Sequence, residues 1–111
     1  HDCGDKVLTS VANIMNKNIR KNDLIARWGG EEFLILLKNT THKEAEIVAK
    51  KLKKSINKES FPCINNKLDL TMTFGVKQFE KDLDSCINKA DKALYQGKNC
   101  GKNCVIVYNS I

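Results

Sequence analysis

Two glycines followed by two glutamates, set between apolar runs, constrain this chain more than any other stretch: residues 26–37 read ARWGGEEFLILL. The flanking segments, LIARW at 24–28 and EFLILL at 32–37, have the length and apolar character of strands rather than helices. A two-residue connection between strands needs positive φ, which glycine adopts without steric penalty. The stretch is therefore expected to form a tight hairpin turning at Gly29 and Gly30. EFLILL is apolar without alternation, the pattern of a strand covered on both faces in a sheet packed with helices. A structural turn accounts for the glycines but not for the adjacent acids, and a buried strand does not want charge at its mouth.

The rest of the chain supplies the helices. In residues 6–19, Val7, Leu8, Val11, Ile14, Met15 and Ile19 fall on one helical stripe. Thr40 or Thr41 can cap the next helix, and Glu44 stands three after Thr41 as a capping box requires. Ala45, Val48, Ala49, Leu52 and Ile56 then share a face, and SFPC, with the only proline at 62, ends the helix before a turn at INN, 64–66. Residues 67–74, KLDLTMTF, alternate as a half-buried strand punctuated by Gly75. Leu83, Cys86, Ile87, Ala90 and Leu94 mark a helix over 83–95, QGKNCGKN breaks it, and CVIVY at 104–108 is the last strand. The order helix, hairpin, helix, strand, helix, strand describes an α/β layer protein.

Length and composition bound the function. The 111 residues allow one domain, and 41% hydrophobic with 29% charged residues suits a globular chain without a span-length apolar segment. No secretory leader is read, so the expected compartment is the cytoplasm, although the whole protein can be membrane-anchored. Five irregularly spaced cysteines fit reduced thiols better than a disulfide framework. Cys100 and Cys104 lack the second pair or nearby histidine that a zinc site needs. The net charge of +6 favours an anionic partner, although AKKLKKSINK also reads as the wet face of a helix. Aromatics are 6% of residues and are not interleaved with the basic ones, which argues against nucleic acid. The chain opens on His1 and is expected to be a piece of something longer.

Chemically, a turn without Cβ atoms lets backbone approach a bulky ligand and face its phosphate oxygens. A neighbouring carboxylate cannot hold phosphate directly, but it can do so through Mg2+, which takes few protein carboxylates and several phosphate oxygens. Because strand side chains alternate, Glu31 and Glu32 are expected to serve different sides of the turn. The competing reading is a plain hairpin with solvated acids.

Several motifs in order resemble the GGDEF family, the diguanylate cyclases, in its Glu variant. GGEEF at 29–33 is similar to the family signature, and HDCGDKVL at 1–8 to its G-H-x-x-G-D-x-x-L segment without the leading glycine. RKND at 20–23 resembles its R-x-x-D motif, TFGV at 73–76 its S-I/F-G-V strand, and ADKALYQGKNCGKN at 90–103 its A-D-x-A-L-Y-x-A-K-x-x-G-R-N segment. The resemblance implies an α+β palm-like sandwich akin to class III nucleotide cyclases, with a central sheet flanked by helices. It implies condensation of two GTP into cyclic di-GMP with Mg2+ or Mn2+, by a homodimer of domains meeting face to face. An upstream sensor domain in the parent protein is also implied.

Carried over by motif, Glu31 and Glu32 would be the metal-holding catalytic acids, and Gly29 and Gly30 would lie under the phosphates. Asp5 would accept from the guanine edge. Lys98 and Lys102 would hold the β- and γ-phosphates, with Lys102 replacing the family's arginine and losing its fork. Without the resemblance, both lysines read as favourable charges at a helix C-terminus. Gly97, where relatives carry alanine, is expected to loosen that helix end. Arg20 and Asp23 match an inhibitory site for product, the alternative being a loop salt bridge. Trp28 is expected to pack and His42 to lie on the surface. The family's first strand and helix, with a further metal-sharing aspartate, would precede His1. The stretch 1–111 is therefore expected to be a partial GGDEF domain, inactive alone and a cyclase in the intact parent. The alternative is a catalytically silent module that senses cyclic di-GMP or GTP.

Overall fold

A stripe repeating every four residues organises the core: Val7, Val11 and Met15 of helix α1 (Cys3–Lys17) are buried against Leu52 and Ile56 of helix α2 (His42–Lys58). In the computed structural model the described residues are 3–59 and 71–108. The remaining elements are β1 (Leu24–Gly29), β2 (Glu32–Leu36), β3 (Phe74–Val76), α3 (Leu83–Asn99) and β4 (Val105–Val107), in the expected order. Around the α1–α2 contact pack Ile25 of β1, Phe33 and Ile35 of β2, Met72, and Phe74 of β3. α1 stops at Lys17 rather than 19 because Asn18 closes its last turn, donating from Nδ2 to the Ile14 carbonyl at 2.7 Å. α2 starts where its caps dictate. Thr41 accepts from the Glu44 backbone and Glu44 returns to the Thr41 N–H at 2.9 Å, the complete capping box.

The strands form two separate ladders among the described residues rather than one central sheet. β1 and β2 pair antiparallel, and β3 and β4 pair parallel. The helices do flank the second ladder. Phe74 faces the α1–α2 core, whereas Gly75 faces α3. Of the strand read over 67–74, residues 67–70 lie outside the described residues, as do Pro62 and the turn at 64–66. Residues 71–73 carry no strand, and the ladder begins only at Phe74.

Gly75 does not punctuate this strand; it is its middle residue. A Cβ there would lie 2.1 Å from the Ala90 carbonyl oxygen and 2.5 Å from the Leu94 nitrogen. The missing side chain is what lets α3 settle onto β3. Gly97 behaves similarly. It lies within α3, buried, and a Cβ would come 2.7 Å from Thr73 Cγ2 and 3.1 Å from Ile106 Cγ1. It draws the helix end inward rather than loosening it. α3 accordingly runs to Asn99, through the residues expected to break it.

Candidate functional site

The hairpin turn sits one residue later than the glycine pair suggests. Gly29 still belongs to β1, opposite Glu32, and Gly30 and Glu31 make the turn. The displacement arises from a bulge at Trp28, the extra residue between the pairs Arg27↔Phe33 and Gly29↔Glu32. Trp28 stands out of register and is 56% exposed, so it does not pack as expected. Gly30 has φ +44°, the conformation that a turn of this kind reserves for glycine at its first position. Glu31 thus points from the turn itself, and Glu32 is the first residue of β2.

Arg27 reinforces the turn, donating from Nε to the Gly30 carbonyl at 2.9 Å. Motif reading did not single out this residue; only its position two before the glycines hinted at it. Gly29 carries no positive φ, and a Cβ there would meet nothing within 4 Å. Nothing in the fold itself demands glycine at that position, and the space above the backbone is open.

Lys98 reaches this turn from the last turn of α3. Its Nζ is 4.0 Å from Glu32 Oε2, with both side chains nearly half exposed. Such a pair is worth about 0–1 kcal/mol and is readily exchanged for another anion. Lys102 lies four residues on, in a run of three left-handed residues: Gly101 at +115°, Lys102 at +61° and Asn103 at +50°. That run is held by the Lys102 N–H on the Gly97 carbonyl and the Asn103 N–H on Thr73 Oγ1, both at 3.0 Å. A lysine in that region costs roughly 1 kcal/mol or more, a strain characteristic of ligand-holding loops. Asp5 occupies the exposed side of the first turn of α1. Among the described residues no three His, Cys, Asp or Glu side chains cluster as a metal cage. A pair of hard carboxylates beside an open backbone suits Mg2+ or Mn2+, which completes its shell from phosphate oxygens and water.

A second locus lies before β1. Asp23 is buried, and both its oxygens are engaged. Oδ2 accepts from Arg20 Nε at 3.0 Å and the Arg20 N–H at 3.1 Å, while Oδ1 accepts from Arg20 Nη2 at 3.2 Å and the Lys38 N–H at 3.0 Å. Asp23 forms a salt bridge with Arg20 within the loop, and four donors engage its two oxygens. The Arg20 guanidinium, followed by the backbone N–H groups of Lys38 and Arg20, pulls the Asp23 carboxyl from its usual 3.8 down to about 2. A depressed folded-state value stabilises the fold above the unfolded value and loses that contribution as pH falls through the folded one. Asp23 is therefore expected to contribute about 2 kcal/mol at neutral pH. The urea midpoint of wild type should exceed that of Asp23→Asn at pH 6, and the gap should close between about pH 4 and 2. His42 is half-buried at the start of α2, its N–H donating to Gln78 Oε1 at 2.9 Å.

The family profile described as "Diguanylate cyclase, GGDEF domain" matches residues 1–104. The chain belongs to the GGDEF family. It is 40% identical to Diguanylate cyclase A of Treponema denticola over 108 residues, 95% of this chain and 29% of that protein. It is 37% identical to Diguanylate cyclase DgcM of Escherichia coli over 96% of this chain and 26% of that protein. The chain thus spans less than a third of the length of these relatives. Its fold is similar to the active GGEEF domain of a diguanylate cyclase from Vibrio cholerae, with a TM-score of 0.89 at 28% identity, covering 100% of this chain and 72% of that one. The mixed helix–strand fold of the GGDEF domain is the fold expected from the motifs. No described helix is long and apolar enough to cross a membrane.

Proposed function

We propose that this GGDEF domain, within the protein that carries it, condenses two GTP into cyclic di-GMP in the cytoplasm. The observation that carries the reading is the approach of Lys98 to Glu32 beside an open glycine turn. A half-exposed cation beside a carboxylate at an open turn suits a metal-bound triphosphate. Glu31 would hold the divalent ion, with Glu32 assisting metal binding or charge placement, and the ion when bound would offset phosphate charge and polarise the attacked phosphorus. Gly29 and Gly30 admit the phosphates. Lys98 and Lys102 take the β- and γ-phosphate oxygens, and Asp5 accepts from the two donors of the guanine edge, a pattern adenine does not present.

The 3′-hydroxyl of each nucleotide, losing its proton, attacks the α-phosphorus of the other, so that two phosphodiester bonds form and two pyrophosphates leave. Each copy contributes one GTP, so two domains must face one another, with an upstream sensor setting their approach. Product restrains turnover at Arg20, whose guanidinium suits both phosphate and a purine face, with Asp23 holding it in place.

Titration of a non-hydrolysable GTP analogue into the full chain tests the cradle. Binding is expected to require Mg2+ or Mn2+ and to weaken about tenfold in Lys98→Met, the loss of one charge-assisted contact. Metal-independent binding, or binding unchanged in Lys98→Met, would contradict it.

A further inference from the structure

Arginine carries five N–H donors in a planar fork. In Arg20 three of them are engaged. Nε and one Nη2 hydrogen go to Asp23, and the second Nη2 hydrogen is shared by the Lys38 carbonyl and Thr40 Oγ1, the latter at 2.8 Å. Thr40 passes the bond on, its hydroxyl donating to the Lys38 carbonyl at 2.7 Å. Glu44, the acid just beyond, is committed to Thr41 through both the N–H and the hydroxyl. Among the described residues, what Arg20 has left is the Nη1 end and the flat face of a side chain 61% exposed.

We infer that Thr40 is a positioning residue for Arg20: it locks the guanidinium so that an anionic, purine-bearing ligand meets Nη1 and the ring face, not the two-nitrogen fork. This rests on the reading of Arg20 as the cyclic di-GMP contact. Asp23 alone fixes one edge of the guanidinium. Thr40 and the Lys38 carbonyl, from the loop after β2, fix the far nitrogen and so define the plane. A side chain ordered before the ligand arrives loses less freedom on binding. Thr40 is thus chemically distinct from its neighbour Thr41, whose hydroxyl is spent on the cap of α2.

The test is calorimetric titration of cyclic di-GMP into the full chain, beside the variants Thr40→Val, Thr40→Ser and Arg20→Ala. Thermal melts of each, and the 15N-edited NMR signal of the Arg20 Nε–H, accompany it. Thr40→Val keeps the shape and removes the hydroxyl. It is expected to bind about 3- to 10-fold more weakly, the loss of one hydrogen bond. Thr40→Ser should stay within about 2-fold of wild type, and Arg20→Ala should show no binding. The Nε–H of Arg20 should exchange faster with water in Thr40→Val and not in Thr40→Ser. Wild-type affinity in Thr40→Val, alongside lost binding in Arg20→Ala, overturns the role of Thr40 and leaves that of Arg20 standing. Wild-type affinity in Arg20→Ala, or no binding by wild type, overturns the reading of the site and this inference with it. If Thr40→Val binds weakly but also melts lower, the NMR signal decides. Faster exchange supports the positioning role, and an unchanged signal overturns it.

Discussion

Gly75→Ala is expected to destabilise the domain by roughly 3 kcal/mol or more, beyond the usual range for an added methyl in a core. The new Cβ would lie 2.1 Å from a carbonyl oxygen and 2.5 Å from a backbone nitrogen of α3. Both neighbours are main chain, so no rotamer change relieves the clash, and α3 must back away from β3. Because total stability is typically about 5–15 kcal/mol, the loss should appear as a melting point lower by more than about 10 °C, or as no cooperative melt at all. The effect also reaches the site, because α3 carries Lys98 at its far end. Gly29→Ala is the contrast. Its φ is ordinary and a Cβ meets nothing, so stability should hold within about 0.5 kcal/mol. A Gly75→Ala variant melting with wild type would mean that α3 does not sit on β3 as described.

Glu31→Gln carries the largest expected effect on activity. The change preserves size and removes only the charge, at a turn residue exposed to solvent and outside both ladders. Folding should therefore be untouched. Metal-borne charge stabilisation is worth several kcal/mol in a phosphoryl transition state, and each 1.36 kcal/mol is tenfold in rate. Cyclic di-GMP formation by the protein carrying this domain should fall by about 10²-fold or more, and raising the Mn2+ concentration should recover part of it. Loss of less than about threefold would remove Glu31 from the metal site.

Much of this was legible in the residues because it depends on near neighbours. The α1 stripe, the Thr41–Glu44 box and the hairpin each follow from contacts within a few positions. What was not legible depends on crossings. Gly75 and Gly97 look like punctuation in one dimension, since a glycine in a strand or near a helix end marks either a break or a close approach. Only the placement of α3 over Thr73, Gly75 and Ile106 decides for approach. The turn moved from Gly29–Gly30 to Gly30–Glu31 because of a bulge that no local preference announces. The full set of donors on Asp23 was not legible because the fourth, the Lys38 N–H, comes from 15 residues away. The motifs nominated the residues of the proposed site. The structure adds what holds them: Arg27 on the turn, Lys98 against Glu32, and Thr40 on Arg20.

The most direct measurement is product identity. The purified protein carrying this domain is incubated with GTP and Mg2+, and the nucleotides are separated by mass spectrometry, with ATP in a parallel reaction. The expected result is cyclic di-GMP and pyrophosphate from GTP, nothing from ATP, and product lowered by about 10²-fold or more in Glu31→Gln. GTP bound but never converted, with cyclic di-GMP still captured at Arg20, would contradict the cyclase reading and leave a sensing domain in its place.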